Sequence, residues 1–147
     1  MTILLAILIA VSPLTQPIEP TEQMIVVAEI ERIADKYPDW SSEYTIGVFD
    51  CSEMSAYVSY RLTVLEIENR IVVGESRGYR HAWVETKDTT IECTSLTVYT
   101  EQEVYYFQSQ PRWEPSDYKV VEARTVGGNE WDWFNVPLLQ GTNPLPY

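Results

Sequence analysis

The stretch Asp50-Cys51-Ser52-Glu53-Met54-Ser55-Ala56-Tyr57-Val58-Ser59-Tyr60-Arg61-Leu62-Thr63-Val64-Leu65 decides the fold. Met54, Tyr57, Val58, Arg61, Leu62 and Leu65 recur at the three- and four-residue steps of one helical face, so the spacing predicts a helix over 50–65. Asp50 is a natural N-cap, and Glu53 stands where the acid of a capping box belongs. Cys51 therefore opens the helix. An anion is stabilised there by the positive end of the helix dipole, and the reactive form of a cysteine is the thiolate. A free cysteine is also often a small buried residue, so position alone does not make Cys51 a nucleophile.

Upstream, Glu22 to Lys36 carries Ile25, Val26, Ala28, Ile30, Ile33 and Ala34 on one stripe, with Thr21 as N-cap and Pro38 as the stop. Trp40 to Val48 reads as irregular, with Ser41, Ser42 and Gly47 as turn formers. Downstream the period changes to two. Arg70 to Val73, Arg80 to Thr86, Thr89 to Cys93 and Leu96 to Tyr99 read as short strands, with turns at 74–78 and at Lys87-Asp88. Glu101 to Tyr106 reads as helix or loop, and Tyr118 to Ala123 as a last strand or the edge of a lid. Two helices followed by an antiparallel meander make an α+β domain.

Three side chains on this frame carry chemistry. Cys51 is the first. His81 is the chain's single histidine, on a strand where His81, Trp83 and Glu85 share one face and Ala82 and Val84 the other. The apolar pair is expected to face the core, and His81 a cleft or solvent. Glu92 is the third. A hairpin at Lys87-Asp88 returns it to the His81 end of the preceding strand, where a carboxylate accepts the second imidazole N–H. Periodicity alone makes His81 an ordinary strand histidine and Glu92 an edge glutamate.

The segments Phe49-Asp50-Cys51-Ser52-Glu53-Met54-Ser55, Arg80-His81-Ala82-Trp83-Val84-Glu85 and Ile91-Glu92-Cys93-Thr94 together resemble the transglutaminase-like superfamily, and are most similar to its small archaeal and microbial members. The likeness covers roughly residues 44–97, and extends weakly to the Trp-Asp-Trp cluster at 131–133. It implies a papain-like core in which a helix with Cys at its N-terminus packs on a small antiparallel sheet. It also implies a catalytic triad of Cys51, His81 and Glu92 working through a thioester, with no cofactor. Members act as transglutaminases, peptidases or isopeptidases and peptide N-glycanases, and others have lost activity. The implied partner is a protein or peptide bearing a side-chain amide or an isopeptide bond. The Cys51 amide and Tyr44 are the expected oxyanion donors, and Trp83 a cleft wall. Two positions depart from the family pattern. Glu92 stands where Asp is usual, so a looser hold on the imidazole is expected, and Cys93 replaces the usual Pro.

The alternative is an inactive binding or structural module on the same fold, stapled by a Cys51–Cys93 disulfide. Successive strand residues point to opposite faces, so Cys93 is expected to turn away from a cleft that Glu92 shares with Cys51. Cys51, Cys93 and His81 cannot complete a four-ligand zinc site without a carboxylate, and their spacing matches no zinc motif, so no metal is expected.

The 147 residues suffice for one core, with residues 21–136 as the domain and 137–147 as a tail. A net charge of -12 disfavours nucleic acid and anionic membrane surfaces as partners. Ile3 to Val11 is an apolar run of 9 residues, too short to span a bilayer. It reads as the core of an atypical signal lacking a positive leader, followed by a Pro-rich linker, so residues 1–20 are set outside the fold. A secreted or cell-surface location is expected, or else membrane association through this segment alone.

Overall fold

The computed structural model describes residues 18–76, 78–108 and 118–124. The apolar segment at 3–11, the aromatic cluster at 130–134 and the tail lie outside them.

Helix α1, Glu22–Lys36, begins at Thr21, whose hydroxyl accepts from the Met24 amide, and it buries Val26, Ile30, Ile33 and Ala34. Helix α2, Cys51–Val64, begins one residue after Asp50, and both halves of the expected capping box are present. Glu29 of α1 is buried against α2. It accepts from Arg32 of its own helix at 2.6 and 2.8 Å and from Arg61 of α2 at 2.8 Å. Burial opposes the charge on Glu29, but these two guanidiniums hold its carboxyl below the usual range.

The strands are β1 Asn69–Ser76, β2 Tyr79–Thr86, β3 Thr89–Glu92, β4 Thr97–Thr100, β5 Val104–Tyr106 and β6 Tyr118–Arg124. They form one sheet in the order β5-β4-β3-β2-β1-β6, antiparallel at every seam. Two readings are corrected here. β1 does not stop at Val73: Gly74, Glu75 and Ser76 pair with His81, Arg80 and Tyr79 on one side and with β6 on the other. Sheet pairing on both edges, with a register shift at Val73/Gly74, overrides the local turn signal of the glycine. The positive φ falls instead at Gly78, at +82°. The segment around 101–106 is an edge strand at Val104–Tyr106, because Tyr105 and Tyr106 pair with Val98 and Thr97.

Ile71, Val73, Ala82, Val84, Ile91, Cys93 and Val98 form one face of the sheet and join both helices in a single apolar cluster. Cross-strand pairing puts Val72, Trp83, Glu92, Thr97 and Tyr99 on the other face, where all five are also buried. His81, on that face with Trp83, is 4% exposed. Of the expected cleft or solvent, the burial of His81 rules out solvent. Strand alternation separates two faces but does not tell a wet face from a second buried one.

The loop between the helices enters the core. Trp40, fully buried, packs on Phe49, Tyr57 and Tyr37 with ring centroids 5.0, 5.6 and 5.9 Å away. Its indole N–H donates to the Cys93 carbonyl at 2.7 Å, which ties this loop to the end of β3.

Candidate functional site

The end of α2 that bears Cys51 is held by one carboxylate. Asp50 Oδ1 accepts from the Ser52 amide at 2.9 Å, and its Oδ2 from the Gly47 amide at 2.8 Å. The Asp50 carboxylate also accepts from the Glu53 amide, and Glu53 Oε2 accepts the Asp50 amide at 2.9 Å. Burial opposes the charge on Asp50, but the Gly47 and Ser52 amides hold its carboxyl below the ordinary range. Gly47, at φ +73°, turns the chain so that Thr45 and Phe49 pair across a tight loop leading into the helix. The Met54 amide bonds to the Asp50 carbonyl. Among the described residues, the Cys51 amide is the one first-turn N–H with no acceptor. Helix starts leave such donors over, and here the cap takes the others.

His81 and Glu92 meet on the second face of the sheet. β2 and β3 pair only at Val84↔Ile91 and Glu85↔Thr90. Continuing that register places Glu92 opposite Trp83, so His81 is its diagonal neighbour, a separation of about 7–8 Å between backbones that long side chains bridge. Glu92 Oε2 lies 2.6 Å from His81 Nε2. A carboxylate only accepts, so Nε2 carries the hydrogen. The looser hold expected of Glu in place of Asp is not what the geometry shows, since the extra methylene is taken up along the diagonal. Glu92 is fully buried, and its other oxygen accepts from the Thr94 amide at 3.0 Å and the Thr94 hydroxyl at 2.6 Å. It is not an edge glutamate.

Cys51, at the start of α2, is the second group that acts on the His81 ring. Burial works against charge on His81. The hydrogen bonds to Cys51 and Glu92, and the charges of both, outweigh it and raise the imidazole to about 9. Cys51 and Glu92 therefore both act on the His81 imidazole, Glu92 through a direct contact.

Trp83 stacks on His81 with centroids 6.2 Å apart and planes at 24°, and its indole N–H donates to Glu85 at 3.0 Å. It is 1% exposed and backs the imidazole within the fold. Tyr44 lies on the loop before α2, 42% exposed. Cys51 and Cys93 are both free thiols, so the structure contains no bridge between them. Glu92 and Cys93 do face opposite ways, as alternation requires. Cys51 nevertheless belongs to the same apolar cluster as Cys93. Burial, and then the charge of Glu92, push the Cys93 thiol well above its ordinary range. Among the described residues no group of three or more His, Cys, Asp or Glu is placed to hold a metal ion, and no helix is long and apolar enough to cross a membrane.

The sequence reading missed three contributors: the Asp50 clasp on Gly47, the Thr94 donors, and Trp40 reaching Cys93. The first two leave a trace in the sequence, a carboxylate three residues from a glycine and a hydroxyl two residues from a carboxylate. The third spans 53 residues and leaves none.

Compared with protein-family models, with curated proteins and with solved structures, the chain finds no match.

The raised His81 has a consequence for stability. The folded state keeps a proton that the unfolded chain releases near pH 6.5. The stabilisation is thus complete below about pH 6.5 and is lost as pH rises through about 9. Cys93, also raised, adds a loss only above the ordinary thiol value of about 8.5. Urea midpoints are expected to fall between pH 6.5 and 8.5, and His81→Gln to flatten that slope. An equal slope in His81→Gln contradicts the assignment.

Proposed function

We propose that the protein is a cysteine-dependent amide hydrolase or acyltransferase of transglutaminase-like, papain-like type. The observation that carries this reading is the buried Cys51–His81–Glu92 chain, set at a helix N-terminus whose Cys51 amide has no acceptor among the described residues. His81 Nδ1 takes the thiol proton, and Glu92 holds the resulting imidazolium in orientation. The Cys51 sulfur attacks an amide carbonyl, and a C–S bond forms as the carbonyl oxygen takes up negative charge. The Cys51 N–H donates to that oxygen. The C–N bond breaks, the nitrogen leaves with the proton from His81, and a thioester remains. Water or a second amine, deprotonated by His81, releases the acyl group and restores the thiol. Protein or peptide amides are the proposed substrates, outside the cell or at its surface.

One observation favours a second reading, a non-catalytic binding module: Cys51 is only 9% exposed. Acyl trapping separates the two. Incubation with a 4-nitrophenyl acyl ester or a glutamine peptide is expected to add one acyl group at Cys51 by intact-mass analysis. Hydroxylamine should remove it, and Cys51→Ala should never acquire it. An adduct that forms equally in His81→Ala, or none at all, sinks the catalytic reading.

A further inference from the structure

We propose that Thr94 is the positioning residue of this site: its amide and hydroxyl hold one oxygen of Glu92 so that the other is aimed at His81. The proposal rests on the catalytic reading above for its purpose, and on separate geometry for its substance. Both Thr94 donors converge on Glu92 Oε1, at 3.0 and 2.6 Å, while Oε2 lies 2.6 Å from His81. A glutamate side chain has three rotatable torsions, and a buried carboxylate is tolerated only when donors surround it. Thr94 does both tasks, fixing the rotamer and stabilising the charge.

Thr94 is itself tied down. Its carbonyl accepts from the Ser41 hydroxyl at 2.7 Å, and the preceding carbonyl, of Cys93, accepts from the Trp40 indole at 2.7 Å. Gln108 accepts from the Ser41 amide at 3.1 Å and donates to the Tyr37 carbonyl at 2.9 Å. The interhelical loop thus straps Thr94, Thr94 aims Glu92, and Glu92 orients His81. Among the described residues, the titratable groups that act on His81 are Glu92 from β3 and Cys51 from α2, with Trp83 of its own strand stacked on the ring. Cys93, on the other side of β3, feels the charge of Glu92.

Because His81 is the chain's single histidine, its imidazole resonances titrate without overlap. Thr94→Val removes the hydroxyl and keeps the amide. It is expected to lower the His81 midpoint by about one pH unit, the size of one charge-assisted hydrogen bond. Thr94→Ser should restore the midpoint. A midpoint unmoved in folded Thr94→Val, or one that Thr94→Ser fails to restore, overturns the proposal. If Thr94→Val does not fold, Ser41→Ala tests the strap: a lowered midpoint supports the proposal and an unchanged one overturns it. A lowered midpoint in a protein whose Cys51 never acylates sinks the catalytic reading and leaves the positioning role. An unmoved midpoint in a protein that acylates does the reverse.

Discussion

Iodoacetamide at pH 7 is expected to place one carbamidomethyl group on the native protein, at Cys51, and none on Cys93. Both thiols are buried by the usual measure, yet their surroundings differ. Cys93 is fully enclosed, and burial together with the charge of Glu92 keeps it protonated. Cys51 keeps some exposure, opens a helix and is hydrogen-bonded to an imidazole that favours its proton. An isolated thiol of pKa about 8.5 slows roughly ten-fold for each pH unit below that value. His81, raised to about 9, remains an imidazolium beside Cys51 at pH 7. His81→Ala is expected to slow labelling of Cys51 at pH 7 by about 10- to 100-fold, and an equal rate in His81→Ala contradicts the pairing. Above about pH 9 His81 loses its proton. Alkylation needs no acid and continues there, whereas amide turnover by the proposed mechanism, which needs the imidazolium to protonate the departing nitrogen, would decline. Labelling at Cys93 in preference to Cys51 would remove the basis for a nucleophile at residue 51.

The largest loss of stability is expected from Trp40→Ala. Trp40 is fully buried among Tyr37, Phe49 and Tyr57, and its N–H is bonded to the carbonyl next to Thr94. Truncating a buried Trp costs about 3–5 kcal/mol through lost contacts and the cavity left behind. Trp40→Phe keeps most of the ring packing and leaves the Cys93 carbonyl unpaired, a cost of about 1–3 kcal/mol. The two variants, compared by urea unfolding, separate packing from the hydrogen bond. A loss below about 1 kcal/mol for Trp40→Ala would mean that the aromatic quartet does not hold the loop to the sheet.

The parts of this site that were legible in the sequence are those fixed by neighbours along the chain. The start of α2 at Cys51, its Asp50 cap and the Glu53 reciprocal bond depend on residues within one helical turn. The hairpin that returns Glu92 toward His81 depends on a turn at Lys87-Asp88 and on a period of two. What was not legible depends on distant segments. Alternation put His81 and Trp83 on the face opposite Ala82, but nothing local says that this second face is buried as well. Gly74 reads as a turn until β6, over 40 residues later, pairs with it. Val104–Tyr106 is too short and too acidic in its approach to announce a strand, and it becomes one by lying against β4.

The cap around Asp50 also sets the local dynamics. To fray the first turn of α2, the chain must release the Gly47, Ser52 and Glu53 amides from one carboxylate and the Asp50 amide from another. Because these bonds share two carboxylates, the turn is expected to open as a unit and its amides to exchange slowly with solvent deuterium. The Cys51 amide has no such partner among the described residues and gains nothing from that closure. It is expected to exchange faster than its neighbours in the turn, and to slow when an oxygen occupies the place in front of it.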